Sequence, residues 1–308
     1  MACDHGGVAI PTIIDTDIGT NIDDTWALAL ALRSPELDVQ LVTVATGDTD
    51  YRAQLAAEVL NAGGRDEVSV ARGGAGGGRA GKPLAGALED FDLAAFVVGI
   101  EGDAAGAIID TVMEADEPVT IVAIGPLTNL ASALARDPEI ATRARVVSMH
   151  GSLEVGYADQ PGPAAEYNAA ADVEATRAVH AAGWEVTVAP LDVTNAVVLA
   201  GDHLAAVRGA AERGDQLMST VLNHHHIYLE ATGRSGVAGT TTPLHDTVAV
   251  HLACGDESLL KVEDVRVRVD SAGVIRRHRR GHDIRMAAGW MDLGGFLDRI
   301  TDRLTNFG

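Results

Sequence analysis

The segment at 11–31, PTIIDTDIGTNIDDTWALALA, constrains the fold and the chemistry of this chain more than any other stretch. Its β-branched pair Ile13-Ile14 predicts a short buried strand, and the apolar residues at 26–31 recur at helical spacing. Four carboxylates stand in and after the predicted strand, namely Asp15, Asp17, Asp23 and Asp24. The segment therefore predicts a strand, an acidic loop and a helix.

Such a loop lies at the carboxyl end of a strand, where open α/β sheets bind their ligands. Closely spaced carboxylates repel one another unless a cation lies among them, so we predict a divalent metal site for calcium or magnesium. A helix cap explains one or two of the carboxylates but not four. An EF-hand loop is excluded, because counting from Asp15 puts Gly19 fifth and Trp26 twelfth instead of Gly sixth and Glu twelfth.

An aspartyl phosphatase of the haloacid dehalogenase type is an alternative. These enzymes also begin with Asp-x-Asp after the first strand, so Asp15 fits the nucleophile and Asp17 its partner. They need a lysine near the phosphate as well. The only lysines here are Lys82 and Lys261, and neither follows a convincing strand.

Three further stretches occur in the order expected for one enzyme family: IGPLTNLA at 124–131, AEYNAAADVEA at 165–175 and PLHDTVAV at 243–250. With the acidic loop they span most of the chain. Together they resemble the inosine-uridine preferring nucleoside hydrolases, whose opening signature is Asp-x-Asp-x-Gly followed by Asp-Asp and a helix. The loop here is two residues longer than the shortest form of that signature.

The resemblance implies a calcium site and a catalytic base. Asp17, Asp24 and Asp246 correspond to carboxylate ligands, and the backbone carbonyl of Thr128 corresponds to a further oxygen ligand. Asp17 is also implied as the general base toward a calcium-bound water, which attacks the sugar. These assignments transfer the family's roles to matching positions of this sequence.

The same resemblance implies the substrate contacts. Asp23 is expected to contact the ribose hydroxyls, and Glu166 and Asn168 match the sugar-binding pair. His245 is implied near the base, either as the acid that protonates the leaving group or as a structural donor. Asp48 stands where the family often has asparagine, and we expect it at the substrate.

Two more segments bear on the substrate. The family's usual His-Gly is replaced by IEGD at 100–103, and the glycine-rich stretch at 73–84 is expected to form a lid at the substrate mouth. These departures leave the identity of the base open. They also leave open a non-catalytic ribose or nucleoside binding protein, because Asp48 and Glu101 alter the expected pocket.

The remaining pattern predicts one α/β domain over 1–308, with an open, mostly parallel, Rossmann-like sheet flanked by helices. Predicted strands lie at 38–46, 68–71, 118–124, 145–149 and 185–190. Helices are predicted at 23–33, 51–62, 127–135, 172–182, 202–213 and 215–232. Alternating residues around a turn at 271–273 predict a C-terminal β-hairpin, followed by an amphipathic helix at 291–304.

Composition narrows the partners and the compartment. A net charge of −21 disfavours nucleic acid, and the absence of an apolar run of 18 residues disfavours a membrane span. The start of the chain has no basic and apolar leader pattern, and its two cysteines, Cys3 and Cys254, form no framework, so we expect a reducing cytoplasm. The resemblance further implies a homodimer or homotetramer that cleaves ribonucleosides to ribose and free base.

Overall fold

Ten strands form one sheet in the part of the chain that this computed structural model describes, residues 9–77, 81–89, 91, 99–234 and 239–306. Their bounds are β1 (Ile10–Thr16), β2 (Leu37–Val44), β3 (Ser69–Arg72), β4 (Ile100–Glu101), β5 (Val119–Ala123), β6 (Ala144–Met149), β7 (Val186–Ala189), β8 (Leu260–Val269), β9 (Ile275–Arg277) and β10 (His282–Trp290). The spatial order is β4-β3-β2-β1-β5-β6-β7-β10-β8-β9. Strands β1 to β7 pair in parallel, as does β10 with β7, while β8 runs antiparallel to both of its neighbours.

Helices cover both faces of this sheet. They are α1 (Asp23–Leu32), α2 (Thr49–Ala62), α3 (Ala104–Glu114), α4 (Thr128–Arg136), α5 (Tyr167–Ala171), α6 (Val173–Ala181), α7 (Leu191–Thr194), α8 (Gly201–Glu212), α9 (Gln216–Ala231), α10 (Asp246–Ala253) and α11 (Leu293–Thr305). One apolar core holds α1, α2 and α8 to α11, and the other holds α3, α4 and α6. Ile13 and Ile14 are fully buried in different cores, because successive side chains of a strand face opposite sides.

The strand order reverses beside β1, and this reversal positions the site. From β1 the chain adds β2, β3 and β4 on one side, whereas β5, β6 and β7 follow on the other. The crevice at the carboxyl ends of β1 and β5 is therefore the topological switch point, the usual ligand site of such sheets. A Cβ at Gly125 would lie 2.7 Å from the backbone nitrogen of Asp17, so glycine is needed for the loop after β5 to pack on the loop after β1.

The single α/β domain with its mostly parallel sheet is confirmed. Predicted strands and helices agree with the observed ones to within a few residues, and the C-terminal hairpin forms from β8 and β9. The sequence analysis missed β10, which inserts between β7 and β8 and makes the hairpin part of the main sheet. It also missed α3 as a helix, and it left α10 undecided between a helix end and a strand end.

Part of the predicted lid, residues 78–80, lies outside the described residues. Within the segments that are described, no helix has the length and apolar character that crossing a bilayer requires.

Candidate active site

A small cavity of about 50 Å³ opens at the switch point, and most of the sequence-predicted residues line it. The loop after β1 and the first turn of α1 contribute three carboxylates, the start of α5 contributes the predicted sugar-binding pair, and the start of α10 contributes a histidine and a fourth aspartate. These residues are Asp17, Asp23, Asp24, Glu166, Asn168, His245 and Asp246. Segments separated by more than two hundred positions therefore meet around one small space.

Asp24 is fixed by the strand that precedes its helix. Its Oδ1 accepts a hydrogen bond of 2.6 Å from the Thr16 hydroxyl, and that hydroxyl in turn accepts a bond of 3.0 Å from the Ile18 N–H. Asp23 and Asp24 occupy the first turn of α1, where the helix dipole favours negative charge. The turn between strand and helix thus aims two buried carboxylates at the same cavity.

Three carboxylates converge closely enough to share a cation. Ligand oxygens of Asp23, Asp24 and Asp246 lie within 4.8 Å of one another, and all three residues are buried. No other group of three or more such side chains was found among the described residues. Buried acidic groups at this separation match the hard oxygen donors that calcium and magnesium take.

The electrostatics of this trio also fit a cation. Burial raises the pKa of Asp24 and Asp246 well above the ordinary range, and the charges of neighbouring aspartates raise both pKa values further. The pKa of Asp23 is raised by burial and, to a smaller extent, by the charge of Asp17. A divalent ion would reverse this repulsion, so the residues present suit a metal.

Arg52, a residue that the sequence analysis missed, holds the loop that carries Asp17. Its guanidinium is almost fully buried and donates to the backbone carbonyls of Thr46 (2.7 Å), Ile18 (2.9 Å) and Asp17. It also lies 3.9 Å from Asp17 Oδ2. Arg52 shares the inward face of α2 with Leu55 and with positions 56 and 59, so an arginine on an apolar helical stripe was the available signal.

Glu166 and Asn168 are held rigidly at the start of α5. The Glu166 carboxylate caps that helix by accepting from the N–H groups of Asn168 (2.9 Å) and Ala169 (3.1 Å). Asn168 donates its amide hydrogens to the carbonyls of Ile124 and Met149, both at 3.0 Å. The carbonyl oxygen of the Asn168 side chain is therefore the atom left for a ligand.

His245 precedes the helix that carries Asp246. Its Nδ1 lies 2.9 Å from the Thr194 hydroxyl, and burial lowers the pKa of His245 to about 4. The imidazole is therefore neutral near pH 7. If Nδ1 accepts from Thr194, the Nε2–H is available to donate a hydrogen bond within the cavity.

Two predicted residues lie away from the cavity lining. Asp48 caps α2 by accepting from the Tyr51 N–H at 3.0 Å, forms an ion pair with Lys82, and has a substantially exposed side chain. Thr128 begins α4, and its hydroxyl donates to Asp172 at 2.9 Å. The structure does not bring the Asp48 side chain to the substrate residues, and the roles of Asp48 and Thr128 stay predictions.

Asp15 does not fit the nucleophile of a phosphatase. It is fully buried within β1, does not line the cavity, and accepts hydrogen bonds from Thr43 (2.5 Å) and Asn129 (2.8 Å) through the same oxygen. Burial raises the pKa of Asp15 to about 7. This carboxyl links β1 to β2 and to α4, so the phosphatase alternative is not favoured.

Comparison with known proteins settles the family. The model of the inosine-uridine preferring nucleoside hydrolases matches residues 12–293, a span that runs from β1 to the start of the last helix. The chain belongs to this family. It is accordingly a hydrolase that acts on N-glycosyl compounds, in a family of metal-dependent enzymes whose substrates are nucleosides.

Sequence relatives extend along most of the chain. The non-specific ribonucleoside hydrolase RihC of Klebsiella pneumoniae (strain 342) is 34% identical over 281 residues, which are 86% of this chain and 85% of that protein. RihC of Salmonella agona (strain SL483) is 35% identical over 277 residues, covering 85% and 83% of the two chains.

Solved structures of nucleoside hydrolases share the fold. A plant nucleoside hydrolase, PpNRh1, superposes with a TM-score of 0.81 at 25% identity, covering 97% of this chain and all of that one. A purine-preferring ribonucleoside hydrolase from Gardnerella vaginalis superposes with a TM-score of 0.79 at 24% identity, covering 96% and 98%. At 24% identity, the comparison with the Gardnerella vaginalis enzyme shows a shared fold alone.

Proposed function

We propose that this nucleoside hydrolase cleaves the N-glycosidic bond of ribonucleosides, releasing ribose and free base, and that calcium is its metal. The observation that carries the proposal is the convergence of Asp23, Asp24 and Asp246 in the cavity that Glu166 and Asn168 also line. A group of acids suited to a cation thus stands beside polar groups suited to a sugar. The printed names of the RihC relatives support the ribonucleoside as substrate.

Calcium suits the donor set better than magnesium does. Calcium takes six to eight oxygen ligands in flexible geometry, whereas magnesium keeps several waters and uses only one or two carboxylates. Asp24 and Asp246, two members of the converging trio, are proposed ligands together with Asp17 and the Thr128 carbonyl, while Asp23, the third member, is proposed to bind the sugar beside them. When bound, the cation supplies positive charge that orients a water molecule and lowers its pKa.

The remaining roles belong to side chains of the chain itself. Asp17 accepts the proton from the attacking water, and Arg52 keeps the Asp17 backbone in place. Asp23, Glu166 and Asn168 bind ribose hydroxyls and so orient the anomeric carbon toward that water. The hydrogen bonds that Glu166 and Asn168 make within the protein mean that these two side chains need little ordering when the sugar binds.

His245 assists departure of the base. As the sugar–base bond breaks, negative charge develops on the base, and the neutral imidazole donates a hydrogen bond to it. The contact between His245 Nδ1 and the Thr194 hydroxyl sets the ring orientation. We further propose a homodimer or homotetramer located in the cytoplasm, as expected from the family and from the cysteine content.

The test compares wild type with Asp17→Asn on a panel of purine and pyrimidine ribonucleosides, with and without a calcium chelator. Loss of a general base lowers kcat by about a hundred- to ten-thousandfold, while the circular dichroism spectrum and the melting temperature of the variant show a folded protein. Wild type releases base only when calcium is present. Substantial turnover by the variant removes Asp17 as the base, and binding without base release by wild type favours the binding-protein alternative.

A further inference from the structure

Tyr157 stands at the mouth of the cavity, and neither the sequence analysis nor the proposed mechanism gives it a role. It lines the cavity while 43% of its surface remains exposed. Its ring meets His245 edge to face, with ring centroids 6.4 Å apart. Its hydroxyl lies 3.2 Å from Glu166 Oε1. One side chain therefore touches both the sugar-binding glutamate and the histidine proposed to face the base.

The hydrogen bond to Glu166 fills the last place on that carboxylate. Oε1 accepts from the Asn168 N–H (2.9 Å) and the Tyr157 hydroxyl (3.2 Å), and Oε2 accepts from the Gly151 N–H (2.9 Å) and the Ala169 N–H (3.1 Å). An ionised carboxylate offers about four acceptor positions. All of them are occupied by the protein, so a sugar hydroxyl can reach Glu166 only by replacing one of these donors.

Tyr157 is the donor that can leave. The other three are backbone N–H groups at the start of α5 and in the loop after β6, and moving them would unfold those segments. The phenol belongs to a side chain at the cavity mouth. Rotation about the side-chain bonds of Tyr157 separates its hydroxyl from Glu166 without any movement of the backbone. Its hydroxyl also accepts a bond of 2.9 Å from the Tyr167 N–H, which a water can replace.

The backbone around Tyr157 forms a tight, restrained loop that places the side chain at the cavity mouth. A bridge between Val155 and Pro161 closes a tight loop, and its tip residues Ala158 and Asp159 adopt left-handed φ values of 51° and 57°. Such values are unfavourable for non-glycine residues and persist only where the surroundings impose them. Asn195 provides one such restraint, donating to the Gly156 carbonyl at 2.9 Å and to Asp159 at 3.3 Å.

We propose that Tyr157 is a specificity-determining residue that occupies the position of one sugar hydroxyl on Glu166. A ribonucleoside with a hydroxyl at that position displaces the phenol from the carboxylate and opens the cavity. An analogue without this hydroxyl binds with the phenol still bonded to Glu166, so the competition lowers the preference of the enzyme for substrates that carry the hydroxyl. This inference rests on the proposed function, because it assigns Glu166 to the sugar.

The primary test is the Tyr157→Phe variant, which keeps the ring and removes the competing donor. We expect KM for a good ribonucleoside substrate to fall about three- to tenfold, because a hydrogen bond to a charged acceptor no longer has to be broken. We expect kcat to stay within about twofold, since the sugar makes the same contacts once bound. An unchanged KM means that Tyr157 only packs at the mouth, and a raised KM means that it binds substrate directly; either result overturns the proposal.

Deoxy analogues supply the matched control on the substrate side. The 2′-, 3′- and 5′-deoxynucleosides of the same base are assayed with both proteins. Only the analogue that lacks the displacing hydroxyl should have equal KM values for wild type and Y157F. For the other two analogues, KM should still be lower for Y157F than for wild type. If KM falls by the same factor for all three analogues, the substitution has widened the mouth of the cavity and has not removed competition at Glu166. That result overturns the proposal.

A binding measurement separates this inference from the proposed function. Titration calorimetry with methyl β-D-ribofuranoside, in the presence of calcium, needs no turnover. Tighter binding by Y157F than by wild type supports the role of Tyr157 even if wild type cleaves no nucleoside and the proposed function fails. Equal, weaker or undetectable binding by Y157F overturns the role of Tyr157 even if nucleosides are cleaved.

Discussion

Two clusters of buried ionisable side chains lie at neighbouring strand ends of this enzyme, and burial shifts their pKa values in opposite directions. In the acidic cavity, Asp23, Asp24 and Asp246 bring carboxylates within 4.8 Å of one another. In the histidine pair, His150 after β6 and His180 on α6 place their Nε2 atoms 2.8 Å apart. Both clusters are almost inaccessible to solvent, and only the first lines the cavity at the switch point.

The two clusters depend on pH with opposite sign. Burial raises the pKa of Asp24 and Asp246, so in the absence of a cation these groups bind protons more tightly when folded, and they destabilise the fold as pH rises above about 4. Burial lowers the pKa of His180 to about 4, so the pair destabilises the fold only as pH falls below about 6.5. Near neutral pH the histidine pair is uncharged and needs no counterion, whereas the ionised acids of the cavity need a cation.

The comparison teaches that burial of ionisable groups does not by itself mark a functional site. Two neutral imidazoles can share a hydrogen bond, because one Nε2 donates and the other accepts, although neither Nδ1 has a hydrogen-bond partner among the described residues. Two carboxylates cannot do so, because both are acceptors when ionised. A buried cluster of a single sign therefore points to a missing partner, and its position at the switch point says where that partner binds.

The largest expected effect comes from removing one acid from the cavity. Asp246→Asn should lower kcat/KM by about a thousandfold or more, because the variant loses one charged ligand of the proposed cation. With calcium as the proposed metal, we expect calcium to raise the melting temperature of wild type by binding only the folded state, and this increase should disappear in the variant. Turnover in the presence of excess calcium and scanning calorimetry at several calcium concentrations check both expectations.

Asp15→Asn is the matched control for this experiment. Asp15 is equally buried but lies off the cavity, and its pKa of about 7 means that asparagine resembles a form it already adopts. We expect the variant to keep the calcium-dependent stabilisation and most of its activity. Loss of all activity in Asp15→Asn, with the calcium-dependent stabilisation kept, would instead place Asp15 in the catalytic machinery.

The second effect tests the histidine pair. Moving the pKa of His180 from its unfolded value of about 6.5 to about 4 costs up to about 3 kcal/mol of stability in acid. His180→Gln removes that protonation, so its unfolding free energy should fall less steeply than that of wild type between pH 6.5 and 4. Urea titrations at several pH values, each at the same calcium concentration, measure the slopes. Identical slopes would show that His180 does not carry this acid sensitivity.

The smallest effect concerns the histidine inside the acidic cavity. His245→Ala should lower kcat about a hundredfold for ordinary nucleosides and less than about tenfold for p-nitrophenyl riboside, whose leaving group needs little assistance. His180→Gln serves as the control, since a histidine outside the cavity should leave both rates unchanged near neutral pH. If His245→Ala slows both substrates equally, His245 orients the site and does not assist the leaving group.

Much of the fold followed from local pattern. Apolar β-branched runs and helical stripes predicted β1, β2, β3, β5, β6 and β7 together with α1, α2, α4 and α6, because side-chain periodicity is fixed by backbone geometry. The sequence analysis missed strand β10 because its sequence, HDIRMAAGW, is rich in charged, alanine and glycine residues, which have a weak preference for strands. The segment forms a strand because it pairs with β7 on one side and with β8 on the other.

The acidic cavity was predicted better than its surroundings. The spacing of Asp17, Asp23 and Asp24 and the later motifs predicted residues that the structure brings together. Arg52 was missed because a buried arginine is recognised by the backbone carbonyls around it, and these come from two different loops. Tyr157 was missed because its role depends on how many acceptor positions of Glu166 are already occupied.

The sequence by itself determined the family, the parallel α/β sheet and the set of acids that could hold a cation, because these depend on residue type and spacing. Only the tertiary structure decided that Asp15 joins β1 to β2 and α4, that Asp48 caps a helix away from the cavity lining, and that Tyr157 completes the hydrogen bonds of Glu166. The physical reason is that repulsion, burial and the number of free acceptors are properties of neighbours in space. Residues far apart in the chain become such neighbours only when the sheet has formed.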